Sequence, residues 1–562
     1  MSDAVNVPQG AARDDWALRP WLLAGIGALT GLLIYLVTRG NDTVPWQMAT
    51  AAFLFFGSIA LAFTLEDGRW KAPSLFALAI GLVMAGLTWR AVRYGDSLPD
   101  EHYGFAAGVV ASGLALPLFQ AGFVKNRMAT SYADLHHHVW TDAISAAGAV
   151  AFTGLSWLVL LLLSELFHLL KIDLLRNLLD DGWFGWTFSG LAFGAALGTL
   201  RNQTRILGTM QTVVLLVLSL LAVPLAIGLV VFLLATAVSG PQVLWEATRS
   251  ATPLLLMCAA GAWVLASTIV RYEDTAMSRN RVMRVAALVL AAVILPLAVF
   301  AAFSMGLRLN QYGLAPERLW GLIAIIVACA YGVGFWGALI RGRKGQWAEM
   351  MRRANFHLGL FVCAFALLLA LPIFDFGAIS TRNQIARLES GKVSAEDFDY
   401  SALRWDFGKA GQRALERLAK GDGATAEGAR KALAEKNRVW YGPREPVDQR
   451  AERLARLQMT GSDAQLRTMV EDWLETQPWR CSVTCAALDL GTDAEGHRRV
   501  AFVEGDFVEQ LAFKNGVIVE AAVPNFSPSE NTDDGRVPTI EVRPFTGRQI
   551  YRDGKPVGEP FE

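Results

Sequence analysis

The sequence predicts an α-helical polytopic membrane domain of about 11 transmembrane helices followed by a small soluble α+β domain. Three observations carry that prediction. Apolar runs, most near the roughly 20 residues that cross a bilayer core of about 30 Å, fill the chain from Pro20 to Phe374. Charged residues gather in the short gaps between the runs and in the last third of the chain. Beyond Ser380 the hydrophobic period becomes that of soluble helices and, after Pro478, that of strands. The expected division is an N-terminal segment 1–19, a membrane domain 20–374 and a soluble domain 375–562.

In chain order the expected spans are 20–38, 46–64, 72–88, 103–123, 144–169, 184–200, 210–238, 252–270, 285–305, 319–340 and 356–374. Backbone polar groups in lipid must be satisfied within the segment, so runs of this length are helices. Turn-forming or charged residues bound them, as in Arg39-Gly40-Asn41-Asp42 and Arg341-Gly342-Arg343-Lys344. The run 210–238 is overlong and carries Pro224, which predicts one tilted or kinked helix. No small-x-small cleavage pattern follows the first run, which therefore reads as a retained signal anchor.

Orientation follows from Lys and Arg in the loops. The N-terminal segment and the loops on its side hold 17, and the alternate loops hold 8. The N-terminus is therefore expected in the cytoplasm, and an odd number of spans places the C-terminal domain on the opposite face, which in a Gram-negative cell is the periplasm. The 51 basic and 51 acidic residues balance, and no basic block stands out, which argues against a nucleic-acid partner.

Three of the five cysteines, Cys258, Cys329 and Cys363, fall inside spans, where a small apolar thiol is unremarkable. Cys481 and Cys485 form a close pair in the exported domain. An oxidising compartment permits a disulfide between them. In an extended strand their Cα atoms would stand about 13 Å apart, beyond the roughly 7 Å a bridge tolerates. The pair closes only if 481–485 turns; otherwise it remains two thiols. No second Cys or His pair nearby completes a metal shell.

In the soluble domain, helices are expected at 384–391, 410–420, 424–436, 450–458 and 463–476, and strands at 499–504, 508–513 and 517–522. Lys514-Asn515-Gly516 reads as a hairpin turn, and Arg552-Asp553-Gly554 as a second. No nucleophile elbow, phosphate loop, HExxH or paired CxxC occurs. No cofactor is implied.

Tyr132-Ala-Asp-Leu135 with Val139-Trp140, Phe152-Thr-Gly154-Leu-Ser-Trp157, Phe167-His-Leu-Leu-Lys-Ile-Asp173 and Gly190-Leu-Ala-Phe-Gly194 resemble the membrane core of the domain-of-unknown-function family numbered 4153. Asn383-Gln384-Ile-Ala-Arg387-Leu388-Glu-Ser-Gly391-Lys392-Val393, followed by Phe398-Asp399-Tyr400 and Leu403-Arg404, resembles it too. The resemblance implies a bacterial, polytopic protein and lends no chemistry.

Several residues invite a functional reading beside a plain one. Glu165 and His168 share one face of the fifth span, and an intramembrane carboxylate suggests a proton relay or ion site. Their place near its outer end suits equally a Glu that snorkels to the interface with His168 as a neighbouring donor. His136, His137 and His138 offer metal binding or pH sensing; consecutive helical residues point about 100° apart, so the three cannot chelate one ion. The plain reading is polar decoration of an interfacial helix. Gly27 and Gly31, and Gly190, Gly194 and Gly198, form small-residue faces that serve packing within the chain or a homodimer seam. Pro117, Pro224 and Pro296 fall inside spans, as in the broken helices of transporters. The basic loops 279–284 and 341–353 suit anionic lipid headgroups or simply fix topology.

The functional expectation is an inner-membrane protein, transport-related or an envelope scaffold, whose partners are the bilayer and an envelope component met by 375–562. The alternative is a membrane enzyme acting on a lipid-linked or envelope substrate, with Asp96, Asp100, Glu101 and His102 as its acidic loop.

Overall fold

The computed structural model describes residues 16–562 apart from 41–43, 96–97, 100, 241–250, 343–344, 436–452, 461–463, 478–479, 482–484, 493–495, 505–506, 515–516, 520–547, 553–554 and 562. Eleven long helices come first: α1 Arg19–Thr38, α2 Pro45–Thr64, α3 Lys71–Tyr94, α4 Glu101–Gln120, α5 Tyr132–Leu169, α6 Gly182–Asn202, α7 Thr204–Ser239, α8 Ala251–Val270, α9 Arg281–Tyr312, α10 Pro316–Arg341 and α11 Trp347–Ala370. Each coincides with one expected span, with three informative shifts. The fifth helix starts at Tyr132, twelve residues before the expected 144, because Ser131 caps it by accepting the Asp134 N–H. The fourth ends at Gln120, ahead of the left-handed Gly122 (φ 77°). The eleventh runs from 347 to 370 and not from 356 to 374. Pro45 and Pro316 open their helices, where the missing N–H has no intrahelical partner to lose. The helices containing Pro117, Pro224 and Pro296 run on through them, so none is the broken helix of a transporter site.

Among the described residues ten of these helices are long and apolar enough to cross a membrane; the exception is α6. Its sequence contains Gly182, Gly185, Gly190, Gly194 and Gly198 where larger apolar side chains would raise its hydropathy. Those glycines give close approach instead. α6 lies antiparallel along α1, and a Cβ built on Gly190 would stand 2.0 Å from the Gly27 carbonyl oxygen. Gly194 faces the Leu23 carbonyl and Gly31 the Trp186 carbonyl, each with 2.1 Å for a Cβ. The two glycine faces are thus filled by each other within one chain. They are not free for the homodimer seam that their sequence also allowed.

The helices α7 to α11 pack around an alanine- and leucine-rich core. Ala259, Ala262, Ala266 and Ile269 of α8 share it with Ala287, Leu290, Ala291, Ile294 and Leu297 of α9, at the three- and four-residue spacing of a buried helix face. Gly332 of α10 lets that helix reach the backbone of Leu295, and Trp336 Nε1 donates to the Ala292 carbonyl at 2.8 Å. α4 packs against α11 and so joins this group to α1–α6.

The chain divides into two compact units, Met1–Leu433 and Ala434–Glu562. The helices α12 Phe376–Glu389, α13 Tyr400–Trp405, α14 Gly408–Ala419 and α15 Ala424–Ala434 therefore count almost wholly with the membrane helices, although their amphipathic period reads as soluble.

In the second unit β1 Leu457–Thr460, α16 Ala464–Thr476, β2 Cys485–Thr492, β3 Arg498–Glu504, β4 Phe507–Lys514 and β5 Val517–Val519 form a helix-backed sheet in the order β1-β2-β3-β4-β5. β1 pairs parallel to β2 (Leu457 opposite Cys485), and the remaining pairs are antiparallel. β6 Arg548–Arg552 and β7 Lys555–Phe561 form a separate two-stranded ladder. The helix expected at 450–458 gives way at Leu457 to β1, because pairing with β2 overrides local propensity. Both expected hairpin pairings are present, although Asn515-Gly516 and Asp553-Gly554 lie outside the described residues, as do 520–522 of the third expected strand. Trp473 of α16 meets Phe502 of β3 edge-on, centroids 4.9 Å apart, over a core that includes Val470, Leu474, Val500 and Leu511.

Candidate functional site at the start of the long fifth helix

A bilayer core takes about 20 residues of helix, and α5 has 38. The excess includes its first turns, and these hold the buried His136 and the half-buried Tyr132, His138 and Asp142. Successive side chains point about 100° apart, so the histidine triplet is split. His136 is 5% exposed, while His137 is exposed and His138 half-buried.

His136 sits where α5 meets the end of α8 and the start of α11. Its imidazole lies among Tyr132, Tyr272 and Trp140, ring centroids 6.0, 5.9 and 6.3 Å away, and neither ring nitrogen has a hydrogen-bond partner. Arg352, 7% exposed, donates to the Val270 carbonyl at 3.3 Å and to Asp274 Oδ1 at 2.5 Å. Arg271 follows α8 with a left-handed φ of 51°, and its Nε is buried without a partner. Trp263 Nε1 donates to Asn355 Oδ1 at 2.8 Å, and Asn355 Nδ2 donates to the Tyr132 hydroxyl at 3.0 Å. This chain of bonds pins α8, α11 and α5 together.

Asp142 and His138 lie toward the other group of helices. Gln120 Nε2 donates to the Phe63 carbonyl at 2.8 Å and to Asp142 Oδ1 at 3.3 Å. Arg201 at the end of α6 donates to the carbonyls of Ala62 and Leu65, satisfying the last turn of α2. Arg19 donates to the Arg201 carbonyl at 3.0 Å, and Asn202 to that of Trp16 at 2.8 Å.

At the opposite end of the bundle α12 is fastened to the turn between α9 and α10. The Leu314 N–H donates to Asn383 Oδ1 at 2.8 Å, and Gln384 Nε2 donates to the Tyr312 and Leu314 carbonyls, both at 2.8 Å. Arg387 reaches the carbonyls of Asn310 and Gln311 at 3.0 and 2.6 Å, and Lys392 reaches Asn310 Oδ1 at 3.0 Å. Gly313, with φ 73°, makes the turn these side chains grip.

A family model, "Domain of unknown function (DUF4153)", matches residues 17–418. The chain belongs to the DUF4153 family. No curated protein and no solved structure matches it. In this DUF4153 chain the residues that carried the resemblance have identifiable work. Tyr132 closes the Asn355 network, Trp157 Nε1 donates to Ser189 Oγ at 3.0 Å, Gly190 and Gly194 make the contact with α1, and 383–392 form the clasp.

The sites singled out from sequence fall as follows. Glu165 is exposed on α5, and His168 pairs with Asp173, Nδ1 to Oδ1 2.5 Å, with Arg176 Nη1 3.4 Å from Nε2. The i, i+3 spacing thus hides a nearer partner supplied by the following turn. Cys481 and Cys485 are both buried, and a left-handed Cys481 (φ 58°) brings their Cα atoms to 5.2 Å, within the span of a disulfide. Of the acidic loop, Asp96, Asp100 and the Glu101 side chain lie outside the described residues. Among the described residues no three His, Cys, Asp or Glu converge as a metal site. Sequence reasoning passed over Arg271, Asn355, Asp142 and Gln120, and took Arg352 only as part of the basic loop 341–353. The available signal was polar residues at the ends of four spans on the same expected side.

In the second unit Arg498 forks onto Asp489, Nε to Oδ1 3.0 Å and Nη2 to Oδ2 2.5 Å, and the Gly491 N–H donates to Oδ1 at 2.9 Å. The Arg498 hydrogen bonds hold this carboxyl below the usual carboxylate range.

Proposed function

We propose that this multi-pass membrane protein is a scaffold of a bacterial inner membrane, holding its C-terminal α+β domain outside to engage an envelope component. The observation that carries the reading is the clasp of Asn383, Gln384, Arg387 and Lys392 on the α9–α10 turn. A chain leaving its last span needs no such anchorage merely to emerge; five side chain–backbone bonds make the exit rigid, which suits a platform. The alanine- and leucine-rich packing of α7–α11 supports the same reading.

Orientation rests on the loop charges and on span parity. The close contact of α6 along α1 supports a crossing by α6 as well, and with it an odd count of eleven, on which the two termini would face opposite sides. The buried Cys481–Cys485 pair, bridged, suits an oxidising compartment.

Two experiments test this. Reporter fusions at Met1 and Glu562 are expected to report opposite faces, and signal from the same face refutes the topology. A chain ended after Leu433 is expected to reproduce the envelope phenotype of complete deletion, whereas full complementation by it refutes the role of the exported domain. Solute flux in proteoliposomes would replace the scaffold reading by transport.

A further inference from the structure

We propose that the junction of α5, α8 and α11 binds an anionic phosphate group, with His136 and Arg271 as its donors. The inference goes beyond the scaffold reading and stands whichever way the termini face. Its basis is an unmet bonding demand. A buried imidazole ordinarily has a partner on at least one nitrogen, because burying a polar group unpaired costs about 1–3 kcal/mol. His136 is 5% exposed and has none on either nitrogen. The Nε of Arg271, in the segment just after α8, is also buried with the same lack. Arg271 adjoins Tyr272, whose ring centroid is 5.9 Å from the imidazole, and its charge acts on His136.

The charge balance selects the ligand. Arg352 is already committed to Asp274 and the Val270 carbonyl, so one guanidinium and one neutral imidazole remain. Together they offer N–H donors and one net positive charge to an oxyanion. A cation is disfavoured by the two arginines, and a neutral apolar ligand would leave the nitrogens unmet. The site lies at the ends of helices long and apolar enough to cross a bilayer, which suits the phosphate of a lipid headgroup; a soluble phosphate presents the same oxygens.

The test uses the full-length protein. In one arm it is placed in nanodiscs of phosphatidylcholine alone or with phosphatidylglycerol, and lipids retained on release are counted by native mass spectrometry. In the other it is titrated in neutral detergent with inorganic phosphate by calorimetry. Selective retention of phosphatidylglycerol identifies a lipid headgroup, and phosphate binding without it identifies a soluble source. Either supports the site if R271Q weakens the interaction about tenfold or more while H137A, at the exposed neighbour, leaves it unchanged. H136F is expected to behave as R271Q does. Should H136F fail to fold, R271Q, altered in the segment after α8, decides alone. No binding in either arm, or R271Q binding like the wild type, overturns the proposal.

Discussion

Replacing Gly190 by alanine adds one methyl group at the tightest glycine contact among the described residues. Its Cβ would lie 2.0 Å from the Gly27 carbonyl oxygen and 2.6 Å from the carbonyl carbon, where ordinary contact begins at 3.4 Å. α1 and α6 must then separate locally by roughly the difference, about 1.4 Å. No side chain can rotate aside, since backbone meets backbone. Overpacking of this kind costs about 1–3 kcal/mol, and the separation also loosens the contacts of Gly194 with Leu23 and Gly31 with Trp186. We expect the upper part of that range, offset by less than about 1 kcal/mol from alanine's better helix propensity. The measurement is reversible unfolding in mixed detergent micelles against SDS mole fraction. Gly25→Ala, on α1 with nothing within 4 Å of a Cβ, is the control and should be no less stable than wild type, gaining up to about 1 kcal/mol from helix propensity. If G190A is no more destabilising than G25A, the glycine faces do not hold α1 to α6, and the argument that α6 crosses with α1 fails too.

Three other perturbations are predicted. Arg387→Ala removes donors from the Asn310 and Gln311 carbonyls and should cost about 1–3 kcal/mol, read as faster amide hydrogen exchange in 310–314 and 383–392; unchanged exchange there refutes the clasp. Asp489 titrates below its ordinary value when folded, so its contribution to sheet stability is complete above that ordinary value and disappears as pH falls through the lower folded one. The wild type should therefore lose protection in β2 and β3 on acidification, whereas Asp489→Asn should start with less and lose less between those values; identical acid profiles would refute the ion pair. Alkylation of the protein purified without reductant and unfolded in denaturant should leave Cys481 and Cys485 unlabelled until dithiothreitol is added, while labelling of both beforehand would show the pair reduced.

The eleven helices were legible because hydrocarbon imposes one length and one backbone solution on each crossing. Their limits were less legible where caps decide them, as at Ser131 for the fifth helix. The strands 498–504 and 507–514 showed in their β-rich composition. β1 did not, since Leu457–Thr460 becomes a strand only by lying beside β2. The candidate site was half legible. The histidine triplet and the basic span ends were visible, but nothing local says that His136 is buried and His137 exposed, or that Arg271 and Arg352 come to the former.

By itself the sequence determined that this is a multi-pass helical membrane protein with a mixed soluble portion at its end. Apolar length and charge placement act residue by residue and need no partner. Only the tertiary structure decided what each face meets. It put Gly190 against Gly27 and not against a second copy, joined His168 to Asp173 and not to Glu165, and set Arg387 on the turn at Gly313. These are contacts between segments distant along the chain or on opposite sides of a turn, and helical period records only which residues share a face, not what faces them.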